Sequence, residues 1–469
     1  MIKKIKAYFK NLSNNQVLIN NKIKELENTQ RNLQNECNAN LQRIENYINE
    51  TNNVLNRAMN AIYDIENIHI PNFNNANLKY VNLELLKLKY DPNKKNILLC
   101  GFYGGDNIGD ELMLQTLCEY FSKYNNIKLT LMLDYNDKYD ILKNNNKNIS
   151  YIHYPKSSYD YFNIVDNFDT IIFGGGALID DNTYNNDPFK ISLSKILIDL
   201  TTIFIDNNKK SYWLGLSTNK EFKNDYFIEK LKYIMNNKNA YVSFRDTNSL
   251  NTLNNKGIDT KNIIICNDII LANKELSNLE LLSSKTIKIG IIPICFRELY
   301  DQNLLMIKRI IAYLNSNKIK YKIDLIPFYD YIKNDYNMLC QLKNDLNDKN
   351  VNVIEFKSKF KDVIDIINNH THIISMRYHA SLIAIVENKP LLTICLSQHS
   401  HYSNKMNYIY KKYTKSDNLI ESKDVSNKTK LNNALNTLFK LENNCFDNKV
   451  FETSQKELND IIERIVNDK

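Results

Sequence analysis

The sequence is poor in glycine and lacks several signals that mark whole classes of protein. Glycine makes up roughly 2% of the 469 residues, against about 7% in ordinary proteins. No run of about 18 apolar residues predicts a membrane span, and the lysine-rich start is not followed by the apolar core of a secretory signal. The eight cysteines contain no CxxC pair, so neither a zinc site nor a disulfide framework is predicted. These absences favour a cytoplasmic protein.

The composition indicates a folded protein with dispersed positive charge. Hydrophobic residues make up 43% of the chain and the formal net charge is +8. This balance suits acidic ligands, but there is no zinc-finger, RNP or helix-turn-helix pattern, so nucleic acid is not expected as a partner. The length predicts two globular domains and an additional segment.

The N-terminal part is predicted to precede the globular domains. Residues 1–14 form a basic amphipathic pattern that suits contact with an anionic membrane surface; an ordinary lysine-rich helix is the alternative. Residues 15–70 carry a heptad-like stripe without glycine or proline, which predicts a coiled coil and a homo-oligomer. A long helix packed on its own domain is the other interpretation. Residues 71–94 are predicted to be a linker.

From residue 95 the pattern alternates between strands and helices, which predicts an α/β fold. We expect two Rossmann-like doubly wound domains, 95–275 and 285–404, facing a cleft after the coiled coil. A polar helical tail at 405–469 completes the chain. The predicted strands are 96–101, 128–133, 170–174, 211–216, 240–244, 262–266, 286–293, 321–327, 351–355, 372–375 and 390–395.

Seven of the ten glycines lie in two loops that follow apolar strand patterns. The first, GFYGGDNIGDE, leads into a helix whose N-terminus can bind an anion. Its spacing matches neither GxGxxG nor the P-loop, so no dinucleotide or P-loop site is predicted. Asp110 and Glu111 open the helix, either to offset its dipole, with Asp110 as N-cap, or to contact a ligand. The candidate substrate-binding residues are Gly104, Gly105, Asn107, Asp110 and Glu111.

The second loop, GGGALIDD, allows close approach of a ligand or of another backbone. Gly174, Gly175 and Gly176 are therefore candidates for substrate binding, and a tight turn between strand and helix is the alternative. The adjacent carboxylates of Asp180 and Asp181 do not make a metal site. No metal is predicted.

Several charged residues follow predicted strands, where side chains reach the cleft. Arg245 either binds phosphate or carboxylate through two parallel hydrogen bonds or pairs with Asp246 or another neighbouring carboxylate. Arg297 follows the first strand of the second domain at the equivalent place, and Asp268 also follows a strand. Arg245, Asp246 and Arg297 are therefore candidate site residues.

The segment HIISMRYHASLIA carries the pattern most typical of catalysis. Arg377 can bind an anion, and His379 can exchange protons near neutral pH. Both follow a predicted strand and precede a helix. The chain has no HExxH motif and no Ser-His-Asp spacing, so a hydrolase is not predicted.

These segments, in this order, resemble the polysaccharide pyruvyl transferase family. The resemblance covers about residues 95–400 and implies a glycosyltransferase-B-like fold. It also implies a transferase that moves the enolpyruvyl unit of phosphoenolpyruvate onto a glycan, commonly as a ketal. The matching segments are GFYGGDNIGDE, FGGGALIDD, YWLGLST, FRDTNS, the aspartate of NDIIL, the arginine of ICFRE, and MRYHASLIA.

The resemblance assigns catalysis to Arg245, Arg377 and His379, which fall where the family binds phosphoenolpyruvate. His379 is expected to be the general acid, and the arginines are expected to stabilise the departing phosphate. Tyr378 stands where the family often has leucine. Phosphoenolpyruvate is the expected donor, with no other cofactor. The expected acceptor is a glycan or lipid-linked oligosaccharide at the inner face of the membrane.

Two other functions fit the same sequence. A sugar-nucleotide-dependent glycosyltransferase of the same fold would bind a nucleotide sugar instead of phosphoenolpyruvate. A non-catalytic coiled-coil scaffold would keep only a vestigial cleft. The joint presence of Arg245, Arg377 and His379 argues against the scaffold.

Overall fold

The structure is a computed structural model that describes most of the chain beyond residue 88. The predicted basic helix 1–14, most of the coiled coil 15–70 and most of the linker 71–94 lie outside the described residues. The described residues are 20–35, 38, 42, 89–105, 107–133, 149–155, 158–181, 192–218, 221–276, 286–329, 334–355, 361–396, 400–414, 416, 418–442 and 446–468.

Contacts divide the chain into two compact units, residues 1–80 with 157–159 and residues 81–156 with 160–469. In the first unit, residues 20–35 are helical and their side chains are exposed. Over the part of the chain that the structure describes, no helix combines the length and apolar character needed to cross a membrane.

The second unit contains two parallel β-sheets covered by helices. The seven strands of the first sheet are β1 (Lys95–Cys100), β2 (Ile127–Leu133), β3 (Ile149–His153), β4 (Thr170–Ile179), β5 (Lys210–Thr218), β6 (Ala240–Phe244) and β7 (Ile264–Ile265). The six strands of the second are β8 (Ile287–Ile292), β9 (Tyr321–Leu325), β10 (Val351–Val353), β11 (His372–Ser375), β12 (Leu391–Cys395) and β13 (Leu419–Glu421). Most central strands are apolar along their length, as expected when both faces of a parallel sheet are covered.

The helices lie between the strands and at the C-terminus. They are α1 (Ile108–Phe121), α2 (Ser158–Asn167), α3 (Leu193–Asp206), α4 (Asp225–Met235), α5 (Thr247–Asn254), α6 (Tyr300–Ser316), α7 (Asn334–Leu346), α8 (Lys361–Asn368), α9 (Tyr378–Val386), α10 (Ser400–Tyr413), α11 (Lys428–Lys440) and α12 (Lys449–Asn467). Short 3-10 turns occupy 269–272, 297–299 and 422–426.

The strand order of the two sheets locates the candidate site. The first sheet runs β3-β2-β1-β4-β5-β6-β7, and the second runs β10-β9-β8-β11-β12-β13. In both, the chain reverses its direction of winding at the central pair, β1 beside β4 and β8 beside β11, which opens a crevice at the carboxyl ends of the strands. The two glycine segments follow β1 or lie in β4, and the Arg297 and Arg377 segments follow β8 and β11.

The C-terminal helix α12 and the residue that follows it contact the first sheet. The Lys95 ammonium donates to the backbone carbonyl of Ile465 at 2.6 Å, and the Tyr212 hydroxyl donates to the Asp468 carboxylate at 2.5 Å. Residues 405–469, predicted as a helical tail, therefore include contacts with the first sheet. This segment also contains β13, which adds an edge strand to the second sheet.

Candidate functional site

Arg245 forms a buried ion pair just beyond β6. Its side chain is 5% exposed, and Nη1 donates to Asp268 Oδ2 at 2.8 Å. The other oxygen of Asp268 accepts from the Ile270 amide at 3.1 Å and begins a 3-10 turn. Burial alone would raise the pKa of Asp268, but Arg245 and His379 together lower it below its ordinary value. Asp268 thus remains charged and fixes the guanidinium in place.

His379, in α9, reaches this ion pair from the second domain. Its Nε2 lies 3.1 Å from Arg245 Nη1 and 3.7 Å from Asp268 Oδ2. A guanidinium only donates hydrogen bonds, so a neutral ring accepts at Nε2 and carries its proton on Nδ1, a tautomer assigned from these contacts. When the ring is protonated, the Asp268 carboxylate compensates its charge.

Tyr378 covers the guanidinium of Arg245. The Arg245 Cζ atom lies 4.4 Å from the centroid of the tyrosine ring, which is within cation–π range. Burial raises the pKa of Tyr378 well above its usual value although Arg245 opposes the shift, so the phenol is neutral. The aromatic ring thus gives Arg245 a contact that a leucine at this position would not provide.

Gly109 lets the two domains meet at His379. A Cβ atom at this position would lie 1.9 Å from His379 Nδ1, so any other residue would clash with the imidazole. The ring therefore packs directly on the backbone of the first turn of α1. This close approach explains why one of the seven clustered positions is a glycine. It joins the loop after β1 to the Arg245 cluster, which consists of Arg245, Asp268, Tyr378 and His379.

The start of α1 is attached to the second domain through the backbone. The helix begins at Ile108, which makes Asn107 the N-cap residue; the expectation that Asp110 caps this helix is wrong. The Ile108 amide donates to the Phe328 carbonyl at 3.2 Å, and Asn107 pairs with Tyr329 in an isolated antiparallel bridge. The helix starts earlier than predicted because a distant loop satisfies an amide that the local sequence leaves open.

Asp110 is a buried carboxyl group that titrates near neutral pH. Its side chain hydrogen-bonds with Asn107 and the residue is 7% exposed. Burial raises its pKa to about 6, although the charges of His379 and Arg245 oppose the shift. Asp110 is thus a buried group beside His379 and Arg245 that can hold a proton up to a pKa of about 6.

Replacement of Asp110 by asparagine should stabilise the fold at neutral pH. The folded protein keeps the Asp110 proton up to a pKa of about 6, whereas the unfolded chain releases it near about 3.9. Stability from this group is therefore lost as pH rises through that window. We expect Asp110→Asn to raise the free energy of unfolding at pH 7.5 by roughly 1–3 kcal/mol. Urea titrations at pH 7.5 and pH 4 test this, and an equal gain at both values would contradict it.

Arg377 has a different acidic partner. Its Nη2 donates to both carboxylate oxygens of Asp335, at 3.1 and 2.8 Å. Asp335 Oδ2 also accepts from the backbone amides of Phe328 and Tyr329, at 3.1 and 2.9 Å. One buried carboxylate therefore fixes both Arg377 and the loop that binds the start of α1. No contact within the described residues joins Arg377 to Arg245, so the two arginines occupy separate positions.

The first glycine loop is closed by its own carboxylate. Gly104 adopts a φ of +86°, and its amide donates to Glu111 Oε1 at 2.7 Å. Glu111 is 1% exposed. The structure thus shows a loop-closing contact for Glu111, while ligand contact by Gly104, Gly105 and Glu111 stays a prediction.

The second glycine segment lies inside β4 rather than after it. The strand continues to Ile179 because its pairing with β5 resumes beyond an irregularity that follows Gly176. Side chains of α1 approach Gly174 and Gly175 so closely that a Cβ at either position would clash, and Gly176 adjoins Asp110 Oδ1. Side chains of helix α1 thus make close contacts with Gly174 and Gly175. Substrate binding by these glycines stays a prediction.

The last two predicted residues differ in their surroundings. Asp246 is 3% exposed and is the N-cap residue of α5, next to Arg245. Arg297 is exposed and begins the short turn after β8. Within the described residues, no contact joins Arg297 to the Arg245 cluster, so its role in binding stays a prediction.

Two residues near the site, Asp335 and Lys405, are not predicted from the sequence. Asp335 lies in the first turn of α7, but its own segment gives no sign that it pairs with Arg377. Lys405 lies in α10 near Arg245, Asp246 and Asp180. Burial and then the charge of Arg245 lower its pKa to about 7, with the two carboxylates opposing the shift. Only the fold brings this lysine to the site.

Comparisons with known proteins agree with this architecture. A model of the family described as polysaccharide pyruvyl transferase matches residues 107–397. The structure is similar to UDP-GlcNAc 2-epimerase from Methanocaldococcus jannaschii, with a TM-score of 0.51 and 10% identity over 79% of this chain and 99% of that chain. For the Neisseria meningitidis UDP-GlcNAc 2-epimerase bound to UDP-GlcNAc, the values are 0.50 and 12%, over 80% and 100%. These likenesses show a glycosyltransferase-B-like fold alone. A comparison with curated proteins found no match.

Proposed function

The chain belongs to the polysaccharide pyruvyl transferase family, and we propose that it transfers a pyruvyl group from phosphoenolpyruvate to hydroxyl groups of a glycan, with release of phosphate. The contact that carries the proposal is the 3.1 Å approach of His379 Nε2 to Arg245 Nη1. It joins a permanent cation to an imidazole, the side chain that most often serves as a general acid or base. The donor requires both, because it carries two anionic groups and must be protonated at carbon.

The two arginines are suited to hold the two anionic groups of the donor. Within the described residues, Arg245 Nε is buried and has no hydrogen-bond partner. Arg377 uses Nη2 for Asp335 and Nε for the Pro293 carbonyl at 3.4 Å, and among the residues that the structure describes no contact occupies Nη1. Each guanidinium is held by a carboxylate and still offers an N–H group. Such preorganised donors can stabilise charge on phosphate without reorganising during the reaction.

The proposed reaction begins with proton transfer from His379. The imidazolium gives its proton to the methylene carbon of phosphoenolpyruvate, and the electron pair of the carbon–carbon double bond forms the new C–H bond. A glycan hydroxyl attacks the central carbon and loses its own proton. A second hydroxyl of the glycan then attacks the same carbon, the bond to phosphate breaks, and the phosphate leaves with the proton of that hydroxyl as the ketal closes. No metal or further cofactor takes part in this scheme.

We also propose the acceptor class and the location that the sequence analysis anticipates. The acceptor is a glycan or a lipid-linked oligosaccharide, used in the cytoplasm at the inner face of the membrane. Membrane contact by residues 1–14 and self-association through residues 15–70 belong to the same proposal. Sedimentation of the full chain and of a chain that lacks residues 1–70 would test the self-association, and equal oligomer sizes would exclude it.

Incubation of the purified protein with phosphoenolpyruvate and a panel of glycans tests the reaction. We expect phosphate release that depends on the acceptor, together with a pyruvyl adduct on the glycan detected by mass spectrometry. A parallel panel of nucleotide sugars tests the glycosyltransferase alternative. Turnover of a nucleotide sugar without any use of phosphoenolpyruvate would overturn the proposal. Parallel assays of Arg297→Ala would show whether the exposed arginine contributes to acceptor binding.

A further inference from the structure

One carboxylate oxygen of Asp246 caps a helix, and the other has no hydrogen-bond partner among the described residues. Oδ1 accepts from the Ser249 amide at 2.8 Å and from the Ser249 hydroxyl at 3.0 Å, which caps α5. Oδ2 is buried and has no hydrogen-bond partner within the described part of the chain. A buried carboxylate oxygen without a partner is costly and is uncommon in native proteins. The free oxygen is therefore suited to a ligand.

A second unsatisfied polar atom lies at the same strand end. Arg245 Nε is a buried donor without a partner within the described residues, and Arg245 directly precedes Asp246 in the chain. The two residues are 5% and 3% exposed. An unsatisfied donor and an unsatisfied acceptor on adjacent residues indicate a site that is completed by a polar molecule.

The free oxygen belongs to a cluster that includes the second domain. The charge of Asp246 favours the protonated form of Lys405 in α10, against the dominant effect of burial on that lysine. It also adds to burial in raising the pKa of Tyr408 to about 12. The charge of Asp246 also contributes to raising the pKa values of Arg245 and Tyr378. Asp246 is thus close to residues of both domains, where donor and acceptor must meet.

The chemistry of Asp246 Oδ2 distinguishes between the two proposed substrates. A carboxylate oxygen accepts hydrogen bonds. The carboxylate and the largely ionised phosphate of phosphoenolpyruvate have little hydrogen to donate at neutral pH, whereas every glycan hydroxyl can donate one. We infer that Asp246 is the catalytic base, and that its Oδ2 takes the proton of the attacking acceptor hydroxyl; this inference rests on the proposed function.

The proton transfers balance across the first step. As the hydroxyl oxygen forms its bond to the central carbon, its O–H bond breaks and the proton passes to Asp246 Oδ2. The double-bond electrons of phosphoenolpyruvate take a proton from His379 at the methylene carbon. One proton leaves the acceptor and one joins the donor, so no oxidant or reductant is needed. His379 and Asp246 thus act on opposite partners in one addition.

Asp246→Asn is the decisive variant. Asparagine caps helices as well as aspartate does, but its amide cannot take up the proton. We expect kcat to fall by about 10²–10⁴-fold, with the binding of phosphoenolpyruvate, measured by calorimetry without acceptor, close to that of the wild type. An unchanged kcat would overturn the inference. Loss of phosphoenolpyruvate binding by a folded variant would also overturn it, because Oδ2 would then serve the donor.

Ser249→Ala is the matched control for the helix cap. It removes the hydroxyl's bonds to Asp246 Oδ1 and to the Thr218 amide and keeps the carboxylate, so it should lower the unfolding midpoint and leave kcat nearly unchanged. A loss of activity as large as that of Asp246→Asn would assign the effect to the cap and overturn the inference. If the wild type never uses phosphoenolpyruvate, the proposed function fails as well. An active wild type with an equally active Asp246→Asn variant overturns only the role of Asp246.

Discussion

Replacement of Arg245 by methionine should abolish most pyruvyl transfer and weaken the fold. The guanidinium contacts both Asp268 and His379, so its loss removes an anion-binding group and the charge that stabilises a buried carboxylate. Loss of one preorganised donor lowers turnover by about 10²–10³-fold. A buried carboxylate without its partner costs about 3–5 kcal/mol of stability. Phosphate release and urea unfolding measure the two effects separately.

A double variant separates the catalytic role of Arg245 from its structural role. Asp268→Asn removes the buried charge and keeps an oxygen that can accept from the Ile270 amide. In the background of Arg245→Met, this second change should recover much of the stability because no unpaired charge remains. Activity should stay at the level of the single variant. Recovery of both properties would mean that Arg245 only balances Asp268 and does not act on the substrate.

The two-domain architecture could be predicted from the sequence because each strand or helix is marked by the apolar pattern of its own segment. The strands at 240–244 and 372–375 are found with the predicted bounds, since short apolar runs between helical patterns mark buried parallel strands. Two edge strands, Ile149–His153 and Leu419–Glu421, were not predicted. Edge strands are paired on one side only and are less buried, so their sequences carry a weaker apolar signal.

From the sequence, the site could be predicted only for residues that directly follow predicted strands, because the order of the strands brings their ends to the cleft. Arg245 and His379 each follow a strand, and winding of both sheets toward one cleft brings them together. Their common partner Asp268 was placed after a strand as well, but spacing alone could not identify the pair. Asp335 and Lys405 depend on how distant loops and helices pack. A single segment holds no information on such contacts.

The sequence predicts the same role, anion binding, for Arg245 and Arg377, but the structure gives the two arginines different surroundings. Arg245 is buried with His379, whereas Arg377 pairs with Asp335 and is half-buried. The loop held by Asp335 also bonds to the start of α1. A ligand that engages Arg377 would thus act on a network that includes the first domain. In the proposed function, donor binding at Arg377 would therefore be coupled to contact between the domains.

Loss of the His379 imidazole should have the other large effect on the reaction. The ring lies 3.1 Å from Arg245 and 3.7 Å from Asp268. In the proposed reaction it donates the proton, and general acid catalysis contributes typically 10²–10⁴-fold. We therefore expect His379→Ala and His379→Gln to lower kcat by at least about 10²-fold. Glutamine keeps an oxygen that can accept from Arg245, so it also tests whether hydrogen bonding without proton transfer is sufficient.

The pH profile and chemical rescue identify the group that donates the proton. His379→Ala leaves a space against Gly109, where added imidazole should restore part of the lost activity; glutamine fills that space and should prevent rescue. Any dependence on pH near about 6 that persists in both variants belongs to Asp110, whose pKa burial raises to that range. Near-normal activity of His379→Ala without imidazole would remove His379 from the mechanism. The proton would then have to come from another group, and Asp110, a buried acid with a pKa of about 6 beside His379 and Arg245, would be the first to test.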